Sequence, residues 1–188
     1  MNIARKIWHL LGIIIPVVYW PGWLARETIL WIVGVALILL VIVEILRFTL
    51  RTVQRAFTFV FGLLLRDEEI KGPHGSLYFL SGVFVCVLLF PKELACTALV
   101  YLAVGDTAAE VIGRKFGRVK LLGPKTLEGT ASCFVLSAAV GLFLLPWPLA
   151  LVGAAAGTLF ELFGTGNIDN ATIPVGAGAA MYGLTYLI

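Results

Sequence analysis

From Gly129 to Phe160 the chain runs for 32 residues without an Asp, Glu, Lys or Arg, and this stretch constrains the fold more than any other. Water cannot accommodate so long an apolar run on a free helix, whereas a bilayer crossing needs about 20 such residues. Pro146-Trp147-Pro148 interrupts the run. Two prolines remove backbone donors and break a helix, so the stretch reads as a hairpin of two spans. With 60% hydrophobic and only 13% charged residues, the chain is expected to be an all-α integral membrane protein. Its 188 residues suffice for one compact bundle, and no hydrophilic block is large enough to fold separately in water, so 1–188 is expected to be a single domain.

Further runs fill out the bundle. Lys6 to Arg26 encloses 19 uncharged residues, in which Pro16 is tolerable as a kink. Spans are also expected at about 28–46, 75–91, 94–112 and 171–188, for about seven in all. The bases then set orientation, because flanking Lys and Arg stay on the cytoplasmic side. With the N-terminus cytoplasmic and the C-terminus external, 12 of the 14 bases fall inside, and only Arg26 and Lys92 fall outside. The first run lacks a small-residue cleavage site and is expected to be retained as a helix.

Residues 47–65 are too polar at their start to span. Arg47, Arg51 and Arg55 recur every four residues opposite Phe48 and Phe59, which suggests a helix lying at the inner surface or a solvated continuation of the second span. Gly113 to Gly117, Gly153 to Gly157 and the small-residue run from Gly176 invite close helix packing. Cys86, Cys96 and Cys133 lie in apolar runs without metal-ligand spacing and read as packing residues.

Against this background the stretch GDTAAEVIGRKFGRVKLLGPKTLEG at 105–129 is dense in charge. Asp106 and Glu110 stand one helical turn apart near the inner end of the fourth span, so both carboxylates share a face. An acid at mid-bilayer costs roughly 2.5–3.5 kcal/mol, so a purely structural role is an expensive use of it. Two carboxylates suit Mg²⁺, which leaves its other positions to water and phosphate; ion pairs to Arg114 or Lys115 are the alternative. Beyond them, Gly113, Gly117 and Gly123 permit turns and close approach, while Arg114, Lys115, Arg118, Lys120 and Lys125 concentrate positive charge. Acids for a metal beside bases for phosphates suggest a nucleotide. Neither GxxxxGK[ST] nor GxGxxG is present, so the cradle is of another kind.

The run Gly105-Asp106, Ala108-Ala109, Gly113, Gly117 and Lys125-Thr126-Leu127-Glu128-Gly129 resembles the shared motif of the membrane lipid-alcohol kinases, the family of dolichol kinase, phytol kinase and the fungal CTP-dependent diacylglycerol kinase. Arg5-Lys6 with His9 and Gly12, Glu44 with Arg47, Lys71-Gly72 with His74-Gly75-Ser76, and Glu161 with Asp169-Asn170 are similar to further patches of that family, in the expected order. Glu110 stands where a small or hydroxylic residue is common, and Thr130 where serine is usual. The chain lacks the long N-terminal membrane extension of eukaryotic dolichol kinases, which implies a minimal form in the cytoplasmic membrane of a prokaryote.

The resemblance implies CTP as phosphoryl donor, a membrane lipid alcohol as acceptor, Mg²⁺ as cofactor and the bilayer as surroundings, with no nucleic-acid partner; oligomeric state stays open. Asp106 is expected to hold the metal, with Glu110 and Asp169 as further candidates. Lys125 and Lys120 would hold phosphates. Gly105, Gly113, Arg114, Lys115, Gly117, Thr126, Gly129 and Asn170 complete the expected nucleotide site. Glu128 or Asp169 would orient or deprotonate the acceptor hydroxyl, and His9, Glu44, Arg47 and His74 would shape a polar mouth for the lipid. A phosphatidate cytidylyltransferase is the rival enzyme, but its Pro-Gly-His-Gly-Gly run is missing. A transporter would need charges across the membrane rather than on one face.

Overall fold

The computed structural model describes residues 12–62, 69 and 72–187. Among these the fold is all helical, with eight helices and a lone β-bridge between Lys120 and Thr126. They are α1 (Ile14–Tyr19), α2 (Arg26–Thr49), α3 (Arg51–Phe61), α4 (Gly75–Leu89), α5 (Lys92–Phe116), α6 (Leu127–Leu144), α7 (Trp147–Phe163) and α8 (Asp169–Leu184). Local chemistry sets the breaks. Phe90 and Leu145 each precede a proline and are extended, because the proline ring excludes the helical conformation from the residue before it. The break before Pro146 makes the expected α6–α7 hairpin.

By length and composition α2, α5 and α6 can cross a membrane, and α4 and α7 are apolar but shorter. The start of the expected first span lies outside the described residues, and its described part, from residue 12 on, carries α1. On α2, Trp31 is 75% and Ile38 62% exposed, while buried Ile29 and Val33 face the bundle. Apolar side chains on the outer face of a helix are what a lipid environment permits.

The expected helix at 47–65 is corrected in register. Leu50 is extended and ends α2, so α3 covers only 51–61 in the described chain. Arg47 belongs to α2 and is 1% exposed, whereas Phe59 is 92% exposed. The guanidinium turns inward because Glu44 and two backbone carbonyls wait there for it.

Small residues bring the later helices together. A Cβ at Gly153 would lie 2.5 Å from Met181 Sδ, so the Gly153–Gly157 pattern serves packing. Buried Tyr101 fills the space beside Gly153 and donates its hydroxyl to Ala150 O at 2.9 Å. The three cysteines are free and buried, as the apolar runs predicted.

At one end of the bundle Arg26 Nε donates to Val87 O at 2.9 Å, tying the start of α2 to the last turn of α4. At the other end lie the close of α2, the starts of α4, α6 and α8, and the close of α7, and most of the described charged residues gather there, Arg26, Glu27, Lys92 and Glu93 lying at the first end.

Candidate active site at the polar end of the bundle

The connection between α5 and α6 folds back as a tight loop. Leu121 N donates to Lys125 O, Lys125 N to Leu122 O and Leu127 N to Val119 O, with Gly123 at φ +53 supplying the turn. Thr126 closes the loop by capping α6, its Oγ1 accepting from Gly129 N at 3.2 Å. A Cβ on Gly129 would stand 2.8 Å from Ala109 O and 3.1 Å from Gly113 Cα, so α5 and α6 touch backbone to backbone. Thr126 packs against Gly113 and Gly117, and the Gly117 amide is already bonded to Gly113 O. These expected nucleotide residues therefore shape the loop, and the amides of Gly117 and Gly129 are engaged within it.

The loop carries Lys125 inward. Its ammonium lies 2.5 Å from Glu161 Oε1 on α7 and 3.3 Å from Asp169 Oδ2 at the start of α8. Burial alone would lower the Lys125 pKa, but the hydrogen bond and charge of Glu161, with the charges of Asp169 and Asp106, outweigh it and hold the lysine above its ordinary value. Three carboxylates thus act on one cation. Glu161 Oε2 and Asp169 Oδ1 are buried with no hydrogen-bond partner.

Asp106 closes a π-helical turn, Leu102–Asp106, inside α5; such bulges often accompany functional sites. Gly105 beside it has no room for a side chain, since a Cβ would meet Ser137 Oγ at 2.6 Å. Glu110 pairs with Arg114 at 3.2 Å, the alternative foreseen for it. Arg114, Lys115, Arg118 and Lys120 are exposed. Glu128 accepts from Val119 N with both oxygens at 3.3 Å and pins the loop. Among the described residues no three His, Cys, Asp or Glu side chains are drawn together tightly enough to cage a metal.

A second cluster adjoins the first. Arg47 donates to Glu44 Oε2 at 2.6 Å and to the carbonyls of Glu69 and Gly72 at 2.7 Å each, and stacks on Phe48 and Phe57. Glu69, only 3% exposed, accepts the Gly75 amide at 2.6 Å. His74 caps α4, its Nδ1 accepting from Ser76 N at 3.1 Å, which requires a neutral ring; burial lowers its pKa accordingly. Asn170 donates to Gly75 O at 3.3 Å, so the dipeptide Asp169-Asn170 links the two clusters. His9 lies outside the described residues. Glu69 escaped the sequence reading because it sits in the charged run Arg66 to Lys71, where nothing marks one acid as buried. Glu161 was visible as the first charge after the long apolar run, but its pairing with Lys125 spans 36 residues.

Among known proteins, the CTP-dependent diacylglycerol kinase 1 of Schizosaccharomyces pombe is 27% identical over 160 residues, covering 74% of this chain and 73% of that one. The CTP-dependent diacylglycerol kinase 1 of Saccharomyces cerevisiae is 30% identical over 136 residues, covering 71% and 47%. The probable chloroplastic phytol kinase 1 of Oryza sativa subsp. japonica is 28% identical over 204 residues, covering 96% and 64%. The chain belongs to the CTP-dependent lipid kinase family. Dolichol kinases are among this kinase family member's relatives as well. It spans about half the length of the budding-yeast relative. No family model and no solved structure matches it.

Proposed function

We propose that the chain, as one polytopic kinase domain, transfers the terminal phosphoryl group of CTP to the hydroxyl of a membrane lipid alcohol at the cytoplasmic face. The observation that carries this reading is the buried Lys125 held by Glu161 and Asp169, with the Asp106 charge acting on it, at the polar end of an apolar bundle. Phosphoryl transfer asks a protein mainly for positioning and charge neutralisation. Lys125 supplies a cation for phosphate oxygens, and exposed Arg114, Lys115, Arg118 and Lys120 draw the anionic donor to the surface beside it. Seven spans with an external C-terminus would keep 12 of 14 bases inside, and that distribution of bases supports a cytoplasmic position for this end.

Mg²⁺ suits the donor set. The unpartnered Glu161 Oε2 and Asp169 Oδ1 are hard oxygen acceptors, and Mg²⁺ commonly takes one or two carboxylates and completes its shell with phosphate and water. Glu161 and Asp169 would hold it, with the Asp106 charge acting on the same site, and it would neutralise charge on the phosphates. The protein's own part is to keep Lys125 charged and aimed, to fix the loop through Thr126 and Glu128, and to present the acceptor from the membrane side.

Purified protein given labelled CTP or ATP with phytol, a polyprenol or diacylglycerol, and analysed by mass, tests the reading. CDP and a lipid monophosphate are expected, with loss on chelation and return with Mg²⁺. Pyrophosphate release would instead mark a cytidylyltransferase.

A further inference from the structure

Between α2, α3 and α4 lies a cavity of about 430 Å³ that the charged cluster does not explain. Its walls are apolar: Ala36, Leu40 and Val43 from α2, and Phe79 and Leu80 from α4. Leu39, which also lines it, is 57% exposed on the outer flank of α2, so the cavity opens sideways where lipid would lie. At one end the walls turn polar, with Glu69, His74 and Asn170. A concave site that is apolar except for a few convergent polar groups is the usual form of a small-molecule pocket.

The position of that polar end is what gives the cavity meaning. Asn170 reaches Gly75 O at 3.3 Å, and Glu69 Oε1 accepts the same residue's amide at 2.6 Å. Asp169, next in the chain to Asn170, lies 3.3 Å from the Lys125 ammonium. The unbroken series Glu69, Gly75, Asn170, Asp169, Lys125 joins the head of the cavity to the cation assigned to the phosphates. Arg47 holds this arrangement from behind, through the carbonyls of Glu69 and Gly72.

Resting on the kinase reading above, we propose that this cavity is the acceptor site: it takes the hydrocarbon chain of a lipid alcohol from the bilayer, and Glu69 accepts a hydrogen bond from the acceptor hydroxyl, turning its oxygen toward the phosphate at Lys125. A carboxylate is suited to the task because it is acceptor-only when ionised. A buried group set at the mouth of an apolar slot fixes one orientation of a chain that has a single polar end. The shared chemistry is a hydroxyl on a hydrocarbon tail, and a single-chain isoprenoid alcohol and a diacylglycerol both offer it.

The test uses the full chain in lipid nanodiscs, with a diazirine-bearing phytol analogue in one arm and a diazirine-bearing diacylglycerol in the other, without nucleotide, and adducts mapped by mass spectrometry. Adducts from at least one arm are expected on α2 and α4 around Leu40 and Phe79. Ala36→Phe, which fills the slot, should reduce them and raise the lipid KM by about tenfold with CTP affinity unchanged. Glu69→Gln keeps an acceptor for the Gly75 amide and so should still be labelled, while kcat falls by about a hundredfold through misorientation of the hydroxyl. Adducts spread elsewhere while transfer proceeds, an unchanged lipid KM in Ala36→Phe, or wild-type kcat in Glu69→Gln overturns the assignment. Labelling of the cavity with no transfer from any donor upholds the lipid site and sinks the kinase reading instead.

Discussion

Replacing Lys125 with Met removes the cation that Glu161 and Asp169 share while keeping an unbranched apolar side chain. The ammonium makes two contacts, at 2.5 Å and 3.3 Å, and the second, buried oxygen of each acid, Glu161 Oε2 and Asp169 Oδ1, already lacks a partner. Without Lys125 two buried carboxylates would face each other's field with no donor between them. Breaking a buried ion pair from one side costs about 3–5 kcal/mol. The lysine side chain is 20% exposed, so water can enter and the lower end, about 3 kcal/mol, is expected. That is a shift of roughly a hundredfold in the unfolding equilibrium. Neutralising one acid as well, in Lys125→Met with Glu161→Gln, should recover more than half of the loss. Reversible unfolding in mixed micelles, followed by tryptophan fluorescence across the cycle of four proteins, reads the coupling. Simple addition of the two single costs would refute the claim that these groups form one electrostatic unit.

Arg47→Met strands Glu44, only 5% exposed, and frees two carbonyls, so a loss of about 3–5 kcal/mol is expected in the same assay, reduced when Glu44 is also made apolar. Gly129→Ala pushes a methyl to 2.8 Å from a backbone oxygen that cannot rotate away, and should cost about 1–3 kcal/mol, visible as a lower unfolding midpoint. His74 has a depressed pKa in the fold, so the unfolded chain binds its proton first and stability should fall as pH drops through about 6.5. His74→Asn keeps a capping acceptor without a titrating ring and should flatten that part of the pH profile, read by thermal unfolding between pH 7.5 and 5.

The break at Pro146 and the crowding of charge at one end were legible because they follow from the order of apolar runs, prolines and bases. Part of the central motif was legible for the same local reason: Gly113, Thr126 and Gly129 lie within one short stretch and pack on one another. What could not be read depends on distant partners. Glu161 and Asp169 reach Lys125 only because α7 closes and α8 starts beside the loop, and Arg47 turned inward because carbonyls 22 and 25 residues away were waiting. A four-residue spacing of arginines looks like a surface stripe until one of them finds a buried acid. Glu110 shows the converse, since its neighbour Arg114 was visible all along and is the partner it takes.

The most direct test is the rate of γ-phosphoryl transfer from labelled CTP to a lipid alcohol by the wild-type chain and by Asp106→Asn, both reconstituted in vesicles. Asp106 is outside the Lys125 ion pairs, so the variant should fold normally and lose transfer by about a hundredfold or more, the scale of removing one preorganised charge from a transfer site. Wild-type transfer by Asp106→Asn would contradict the account.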